Sequence, residues 1–339
     1  MTLVRSGRSR SCIVLGLLAA GVVGVGWLAL GVGVGGAGLG DLARIGSADL
    51  NPWTRAILLD VRLPRVLLAA LVGAALSGAG VAFQATLRNP LADPYILGVS
   101  GGAALGAVTF TAMVGGSQVW SPLGRPAAAF AGAMLSVFVL FGLARVRGRT
   151  ETTALLLVGV IINAIDSALI LFLVTAGDTS RFQGALFYLV GSLGSPPLPV
   201  IASVAALTLA GLTVLALISH RLNLLSFGEE TAAHLGVDVE AVTWTTLASA
   251  SLITAACVAF AGLVGFVGLI VPHAVRTVCG PDHRLLLPAS ALAGASFLIL
   301  TDTLARVLFA PVELPVGVIT ALLGGPFFLF LFLKRLREG

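Results

Sequence analysis

The chain alternates long apolar runs with short polar turns. The first run extends from Cys12 to about Val34, and the others cover about residues 64–84, 93–113, 123–144, 153–175, 198–219, 240–261, 266–279, 286–308 and 315–333. A membrane-spanning helix needs about 20 mostly apolar residues, and its backbone must satisfy its own hydrogen bonds. The pattern therefore predicts one all-α domain, residues 1–339, that crosses a membrane with about ten helices. Two runs that are short or interrupted by glycine and proline predict half-length or tilted helices.

The composition supports a membrane protein. Hydrophobic residues make up 58% of the chain and charged residues 10%, with a mean hydropathy of +1.05, whereas an average soluble domain is roughly a quarter charged. Small residues recur at helical spacing on the second run, at Gly73, Ser77 and Gly80. This spacing predicts that the backbone of that helix lies close to its neighbours. The three cysteines have neither the spacing of a metal site nor the even number of a disulfide framework, so we expect buried thiols.

The distribution of arginine and lysine predicts the orientation. Arg5, Arg8 and Arg10 precede the first run as in a signal peptide, but that run is too long and lacks a convincing cleavage site, so we expect a retained span. If the N-terminus is cytoplasmic and the runs alternate, 13 of the 20 basic residues lie inside and seven outside. Residues 1–11, 220–239 and 334–339 are then cytoplasmic. Contact with anionic membrane lipid accounts for the net charge of +5, and no nucleic-acid partner is expected.

The longest polar interruption of the second half extends from His220 to Glu240. It predicts a pair of short helices that are separated by Gly228 and ended by Gly236. Apolar side chains in such a loop predict docking onto a cytoplasmic partner. The alternative is an amphipathic loop that lies on the membrane surface.

Four motifs occur in order along the chain. They are RLPR at 62–65, RNPLADP at 88–94 followed by LGVSGGAALG, GEETAAHLGV at 228–237, and a long closing segment over residues 261–334. Together they resemble the permease subunits of type II, binding-protein-dependent ABC importers, in the family that imports ferric siderophores, haem and vitamin B12. The resemblance covers essentially the whole chain after the first span. Its motifs are common to all three substrate classes and do not identify the chelate.

The resemblance implies a permease of the cytoplasmic membrane with ten spanning helices, which translocates a bulky metal chelate into the cytoplasm. The implied partners are a second permease copy, identical or paralogous, two ABC ATPase subunits and an extracytoplasmic substrate-binding protein. ATP and Mg would be bound by the ATPase, so this chain is expected to be no enzyme and to carry no cofactor or metal. The residues agree with a separate energy source, because Lys334 is the only lysine and no GxxxxGK[ST] motif exists.

Three arginines match the motif positions at which the family docks acidic residues of the binding protein, namely Arg62, Arg65 and Arg306. A planar guanidinium can bind a carboxylate at two points, which suits such a contact. One alternative is that arginines at helix ends extend toward the membrane surface. For Arg306 a further alternative is pairing with Asp302, four residues earlier on the same helix face.

The same resemblance assigns two further regions. The segment from Leu225 to Gly236, which we call the coupling segment, would seat in a groove of the ATPase, and its candidate residues are Leu225, Gly228, Glu229, Ala232, Leu235 and Gly236. A cytoplasmic gate would lie between the turn after the second span and the start of the fifth, at Asn89, Leu91, Thr152 and Thr153. The alternatives for the gate residues are an Asn-Pro turn and helix capping by threonine.

Polar residues inside the apolar runs are candidates for the substrate pathway. They are Gln84, Asn163 and Asp166, and a carboxylate within the membrane is expensive enough to suggest a function. The alternatives are a hydrogen bond between helices for Asp166 and contact with a neighbouring helix for Gln84. The competing hypothesis is an ion-coupled secondary transporter that uses Asp166. The string GVSGG could also place Ser100 with His273 in a protease-like dyad, but a nucleophile elbow requires a strand-to-helix turn, and a helical context is expected here.

Overall fold

The computed structural model describes residues 2–47, 49–114, 123–146, 149–150, 152–176 and 188–338. Within these ranges the α-helices are α1 Thr2–Gly31, α2 Leu39–Leu42, α3 Pro52–Ala56, α4 Leu63–Thr86, α5 Val99–Val114, α6 Gly124–Leu143, α7 Thr152–Ala176, α8 Leu198–Leu225, α9 Glu229–His234, α10 Val239–Ala261, α11 Val267–Cys279, α12 His283–Val307 and α13 Val316–Glu338. A π-helical stretch, Ile57–Arg62, joins α3 to α4, and a 3-10 turn, Pro94–Leu97, precedes α5. Strands β1 Arg145–Val146 and β2 Arg149–Thr150 pair antiparallel between α6 and α7.

The ten predicted apolar runs all correspond to helical segments. In the described part of the chain, seven segments are long and apolar enough to cross a membrane: Ser11–Gly31, Pro52–Thr86, Gly124–Leu143, Thr153–Ala176, Leu198–Leu225, Val239–Ala261 and His283–Val307. Three shorter apolar helices, Val99–Val114, Val267–Cys279 and Val316–Phe330, complete the set. The all-α polytopic fold class is confirmed. The third run begins later than predicted, because Gly98 adopts a φ of 81° and separates the 3-10 turn from α5.

Helix α4 lies at the centre of the bundle, and small residues set its distance to its neighbours. A Cβ atom on Gly73 would lie 2.1 Å from the carbonyl oxygen of Gly294 in α12. A Cβ atom on Gly80 would lie 1.9 Å from the carbonyl oxygen of Gly268 in α11. Two helix backbones therefore touch α4 on the face predicted from the spacing of small residues, which confirms that prediction.

The chain is irregular between α10 and α11, where Gly262 and Phe266 both have positive φ values, 67° and 68°. Side chains from distant segments satisfy its backbone. The Tyr95 hydroxyl donates to the carbonyl oxygen of Val264 at 2.9 Å and accepts from the Val264 N–H at 2.9 Å. Irregular backbone within a membrane protein requires such internal partners. The 13-residue helix α11 that follows confirms the prediction of a half-length helix in this region.

Candidate functional site

Five charged side chains form what we call the arginine cluster: Arg62, Arg65, Asp302, Arg306 and Glu313. Asp302 is its centre, with Oδ1 3.0 Å from Nε of Arg65 and Oδ2 3.2 Å from Nε of Arg306. The second partner of Arg65 is Glu313, whose Oε2 accepts from Nη1 at 2.7 Å. The cluster joins the beginning of α4 to the end of α12 and to the loop that precedes α13.

The guanidinium groups of Arg62 and Arg306 also donate hydrogen bonds to backbone carbonyl groups. Nη1 of Arg62 donates to the carbonyl oxygens of Leu30 at 2.7 Å and Ala37 at 3.0 Å, and Nη2 donates to that of Val34 at 3.1 Å. Nη2 of Arg306 donates to the carbonyl oxygen of Ala29 at 3.3 Å. The carbonyl groups of Ala29 and Leu30 lie in the last turn of α1, where no helical partner can reach them, and those of Val34 and Ala37 lie in the chain that follows. The arginines therefore fasten α1 to α4 and α12.

The structure brings the three predicted docking arginines together but buries them. Arg62, Arg65 and Arg306 are 3%, 9% and 5% exposed, and each has partners within the chain. The alternative pairing of Arg306 with Asp302 is present. Docking by these residues stays a prediction. Glu313, which the sequence did not single out, is the half-exposed member of the cluster, with a side chain 53% accessible.

The coupling segment lies at the opposite end of α4. Gly228 and Gly236, with φ values of 110° and 82°, enclose the six-residue helix α9. Leu225 and Ala232 are buried in an apolar cluster with Ala85, Leu222, Val237 and Val242. The expected pair of short helices is wrong in one respect, because the part before Gly228 is the last turn of the long helix α8.

The outer face of the coupling segment carries two exposed apolar side chains among polar ones. Leu235 is 60% exposed, and Phe227, an apolar residue of the loop outside the candidate set, is 74% exposed. Glu229 begins α9, where a carboxylate interacts favourably with the N-terminal end of a helix. The guanidinium group of Arg88, in the turn after α4, binds the Glu229 carboxylate. The segment therefore combines an anchored inner face with an outer face on which two apolar side chains are exposed beside charged and polar residues.

A cavity of about 650 Å³ lies beside the coupling segment. Its lining includes Gln84, Arg88, Phe227, Arg276, Asp282 and His283. Asn223 connects two residues at the edge of this cavity. Its side-chain NH₂ donates to Oδ1 of Asp282 at 2.7 Å, and its side-chain oxygen accepts from the backbone N–H of His283 at 2.8 Å. Burial alone would raise the pKa of the Asp282 carboxyl group, but hydrogen bonds from Arg284 and Asn223 and the charge of Arg284 lower this pKa below its ordinary value.

The predicted gate residues lie in the turn after α4 and at the start of α7. Asn89 makes the turn that was its alternative role, since its Oδ1 accepts from the Leu91 N–H at 3.0 Å. Leu91 is exposed, and so is Thr153 in the first turn of α7. Thr152 is the first residue of α7, and its side chain lies outside the described part. The gate assignment stays a prediction.

The pathway candidates have distinct surroundings. Gln84 is buried, where it donates to the carbonyl oxygen of Gly268 at 3.2 Å and accepts from Arg276 at 2.9 Å, so it joins α4 to α11. Asn163 donates to the carbonyl oxygen of Tyr95 at 3.0 Å. Asp166 is buried at a mostly apolar cleft of about 560 Å³ between α5, α6 and α7. Their role in a pathway stays a prediction.

The residues of the protease hypothesis have unrelated partners. Ser100 lies within α5, and its hydroxyl donates to the carbonyl oxygen of Tyr95 at 3.3 Å. The His273 ring, in α11, packs edge-on against Phe327 with 6.3 Å between the ring centroids. A helical position for Ser100 gives no nucleophile elbow, so the motif is a consequence of glycine-rich helix packing.

Comparisons with known proteins agree with the geometry. The sequence profile of the FecCD transport family matches residues 21–334. The cobalamin import system permease BtuC of Halobacterium salinarum is 46% identical over 275 residues, which are 81% of this chain and 73% of that protein. The hemin transport system permease HmuU of Yersinia pestis is 40% identical over 291 residues, or 83% of this chain and 84% of that protein.

A solved structure described as an inward-facing conformation of a metal-chelate type ABC transporter superposes with a TM-score of 0.82 at 30% identity, covering 96% of this chain and 99% of that one. The family profile thus extends from the first spanning helix into the last. The chain belongs to the FecCD transport family and is a permease of the type found in ABC importers of siderophores, haem and vitamin B12.

Proposed function

We propose that this permease moves a bulky metal chelate into the cytoplasm, driven by ATP hydrolysis on separate ABC ATPase subunits that bind at the coupling segment. The observation that carries the proposal is the geometry of α9. Two glycines with positive φ values enclose this helix, its inner face is anchored through Ala232, and Leu235 is exposed at its end. A short anchored helix followed directly by an exposed apolar side chain offers a contact for a groove on a partner protein. The chain has no P-loop of its own, so the energy source is a partner.

A second permease copy, identical or paralogous, would complete the pathway. Helix α7 exposes Leu157, Leu171 and Phe172, and α13 exposes Leu322 and Phe330. Apolar helix faces in a membrane protein contact either lipid or another helix. Pairing through these faces would enclose a pathway between two copies. In this arrangement the coupling segment and both termini are cytoplasmic, and the arginine cluster faces a substrate-binding protein outside.

A bulky chelate is the substrate class that the relatives support. The related permeases are named for cobalamin, hemin and iron(3+)-hydroxamate import. These ligands are all bulky metal complexes, but their organic parts differ. A pathway that passes any of them should carry few charged groups and interact weakly with its substrate. The ion-coupled alternative has little support, because Asp166 lies at a mostly apolar cleft rather than in a chain of titratable groups.

The function is tested by purifying the permease together with the ATPase encoded beside it. In liposomes, ATP hydrolysis should rise when one loaded binding protein is added, and the chelate that produces the increase identifies the substrate. Uptake that needs a proton gradient and no ATPase would contradict the proposal and return Asp166 to the centre of the mechanism.

Leu235→Arg should reduce the amount of ATPase that co-purifies about tenfold, because it places a charge in the apolar contact of the coupling segment. The matched control is Leu308→Arg, since Leu308 is equally exposed, at 59%, but lies at the arginine-cluster end. Quantitative gel analysis of the purified complex measures both variants. Equal losses in the two would show that a surface charge alone is harmful and that the coupling segment is not the contact.

Glu313→Gln should strengthen binding of the substrate-binding protein about threefold, because it frees Arg65 from a half-exposed competing carboxylate while Asp302 keeps the guanidinium in place. The gain should shrink as salt is added. Asp60→Asn is the control, because it removes an exposed negative charge from the same end without freeing an arginine. Surface plasmon resonance measures the affinities. Weaker binding by Glu313→Gln would mean that Glu313 itself contacts the partner.

A further inference from the structure

Arg88 occupies a backbone position that is unusual for an arginine. Its φ is +48°, and among the described residues the other non-glycine with positive φ is Phe266. Arg88 follows the last turn of α4, where its N–H donates to the carbonyl oxygen of Ala85 at 3.3 Å and the Asn89 N–H donates to that of Gln84 at 3.2 Å. This is the left-handed C-terminal cap that normally carries glycine. A costly residue at such a place indicates that its side chain has a use.

The side chain of Arg88 reaches the coupling segment. Its Nη2 donates to Oε1 of Glu229, 141 residues further along the chain. Glu229 is the first residue of α9, directly after Gly228. The ion pair therefore connects the helix proposed to contact the ATPase with the turn that begins at Arg88 and continues through Asn89 and Leu91.

A second contact supports the same connection. Ala85, one turn before Arg88, belongs to the apolar cluster that also contains Ala232 of α9. The cavity of about 650 Å³ borders this junction, and Arg88, Pro90 and Phe227 are among its lining residues. The end of α4 and α9 are thus joined by one apolar and one ionic contact, next to open space into which the turn can move.

We propose that Arg88 is a positioning residue that transmits displacement of α9 to the turn at Asn89 and Leu91, through its ion pair with Glu229. The inference rests on the proposed coupling function and names the side chains that carry it. Arginine suits the task because its planar guanidinium holds a carboxylate in a fixed orientation. The ion pair is half-exposed, so its contribution to fold stability is small. Its effect should therefore appear in coupling rather than in folding.

The test uses the complete complex with ATPase and loaded binding protein in liposomes, and measures chelate transported per ATP hydrolysed. Arg88→Glu and Glu229→Arg should each lower this ratio about fivefold. The double variant, which exchanges the two charges, should return the ratio to within about twofold of the original. The ATPase should co-purify in normal amounts with Arg88→Glu, because Arg88 lies outside the coupling segment, and this separates a coupling defect from a failure of assembly.

The variant Arg88→Gly separates a positioning role of the arginine side chain from a role in fold stability. Glycine adopts a φ of +48° without the steric cost that a side chain brings, so this variant should unfold at the same temperature as the original protein or higher, while the transported chelate per ATP falls. The matched control is the ion pair of Arg145 with Glu240, which has comparable exposure and an N–O distance of 3.5 Å but does not involve α9. Exchanging those two charges should leave the ratio unchanged.

Three results would overturn the inference: a normal ratio in Arg88→Gly, no recovery in the charge exchange, or an equal loss in the Arg145–Glu240 control. These outcomes differ from failure of the proposed function itself. In that case the unmodified permease would not co-purify with the ATPase, or loaded binding protein would not stimulate hydrolysis.

Discussion

Replacing Asp302 with alanine is expected to prevent the permease from folding stably. Asp302 is buried and is the counter-charge of both Arg65 and Arg306. Its removal leaves two buried guanidinium groups close together without a carboxylate between them. Breaking a buried ion pair by removing one partner costs about 3–5 kcal/mol, because the remaining charge stays away from water. That is a large fraction of the free energy of unfolding of an ordinary domain.

The experiment compares Asp302→Ala with Glu313→Ala, since both remove a carboxylate from Arg65. Glu313 is half-exposed, so its loss should cost about 1 kcal/mol or less. Thermal unfolding in detergent, followed by intrinsic fluorescence, should show a large decrease for Asp302→Ala and a small one for Glu313→Ala. Equal decreases would show that burial of the arginine cluster does not determine its contribution to the free energy of unfolding. They would also contradict the conclusion that the arginines hold α1, α4 and α12 together.

The second large effect is expected from one added methyl group. In Gly80→Ala the new Cβ would lie 1.9 Å from the carbonyl oxygen of Gly268 and 2.6 Å from its carbonyl carbon. Both atoms belong to a backbone, so no side chain can rotate away, and α4 and α11 must separate. Overpacking of this kind typically costs about 1–3 kcal/mol and occasionally more. It would also lengthen the Gln84 to Gly268 hydrogen bond one turn along the helix.

Gly142→Ala provides the control for that variant, because a Cβ on Gly142 has nothing within 4 Å. Alanine is also the better helix former at an unobstructed position. Size-exclusion chromatography of fluorescent fusions should show a normal monodisperse peak for Gly142→Ala and a strongly reduced one for Gly80→Ala. If both variants gave normal peaks, the contact between α4 and α11 would have to be looser than the structure shows.

The fold could be predicted from the sequence because the membrane imposes simple rules. Apolar length determined the number of spans, and the spacing of Gly73, Ser77 and Gly80 indicated which face of α4 meets other backbones. The boundary at Gly98 was missed because the apolar pattern continues across it, and only the backbone conformation shows the break. Proline and glycine near residue 266 did indicate the half-length helix α11, since helix breakers within an apolar run are visible in the sequence.

The candidate sites were less predictable, because their partners are remote or lie in the backbone. Arg62 donates to one carbonyl group in the last turn of α1 and to two in the chain that follows, and no side-chain pattern indicates a carbonyl acceptor. Arg65 and Glu313 are 248 residues apart. The sequence left open whether Gln84 faces the pathway or a neighbouring helix, and its partners are Gly268 and Arg276 on α11. The coupling segment was the easier target, since its glycines and apolar residues are contiguous in the sequence.

The Tyr95 hydroxyl has a consequence for how the permease can move. Because it pairs with both the N–H and the carbonyl oxygen of Val264, it joins the turn before α5 to the segment before α11. Asn163 of α7 joins the same turn by donating to the Tyr95 carbonyl oxygen. Separating these elements would leave several polar groups unpaired in a medium without water. We therefore expect them to travel as one rigid body during transport, with slow amide hydrogen exchange at Val264, while bending is confined to the turns at the ends of the bundle.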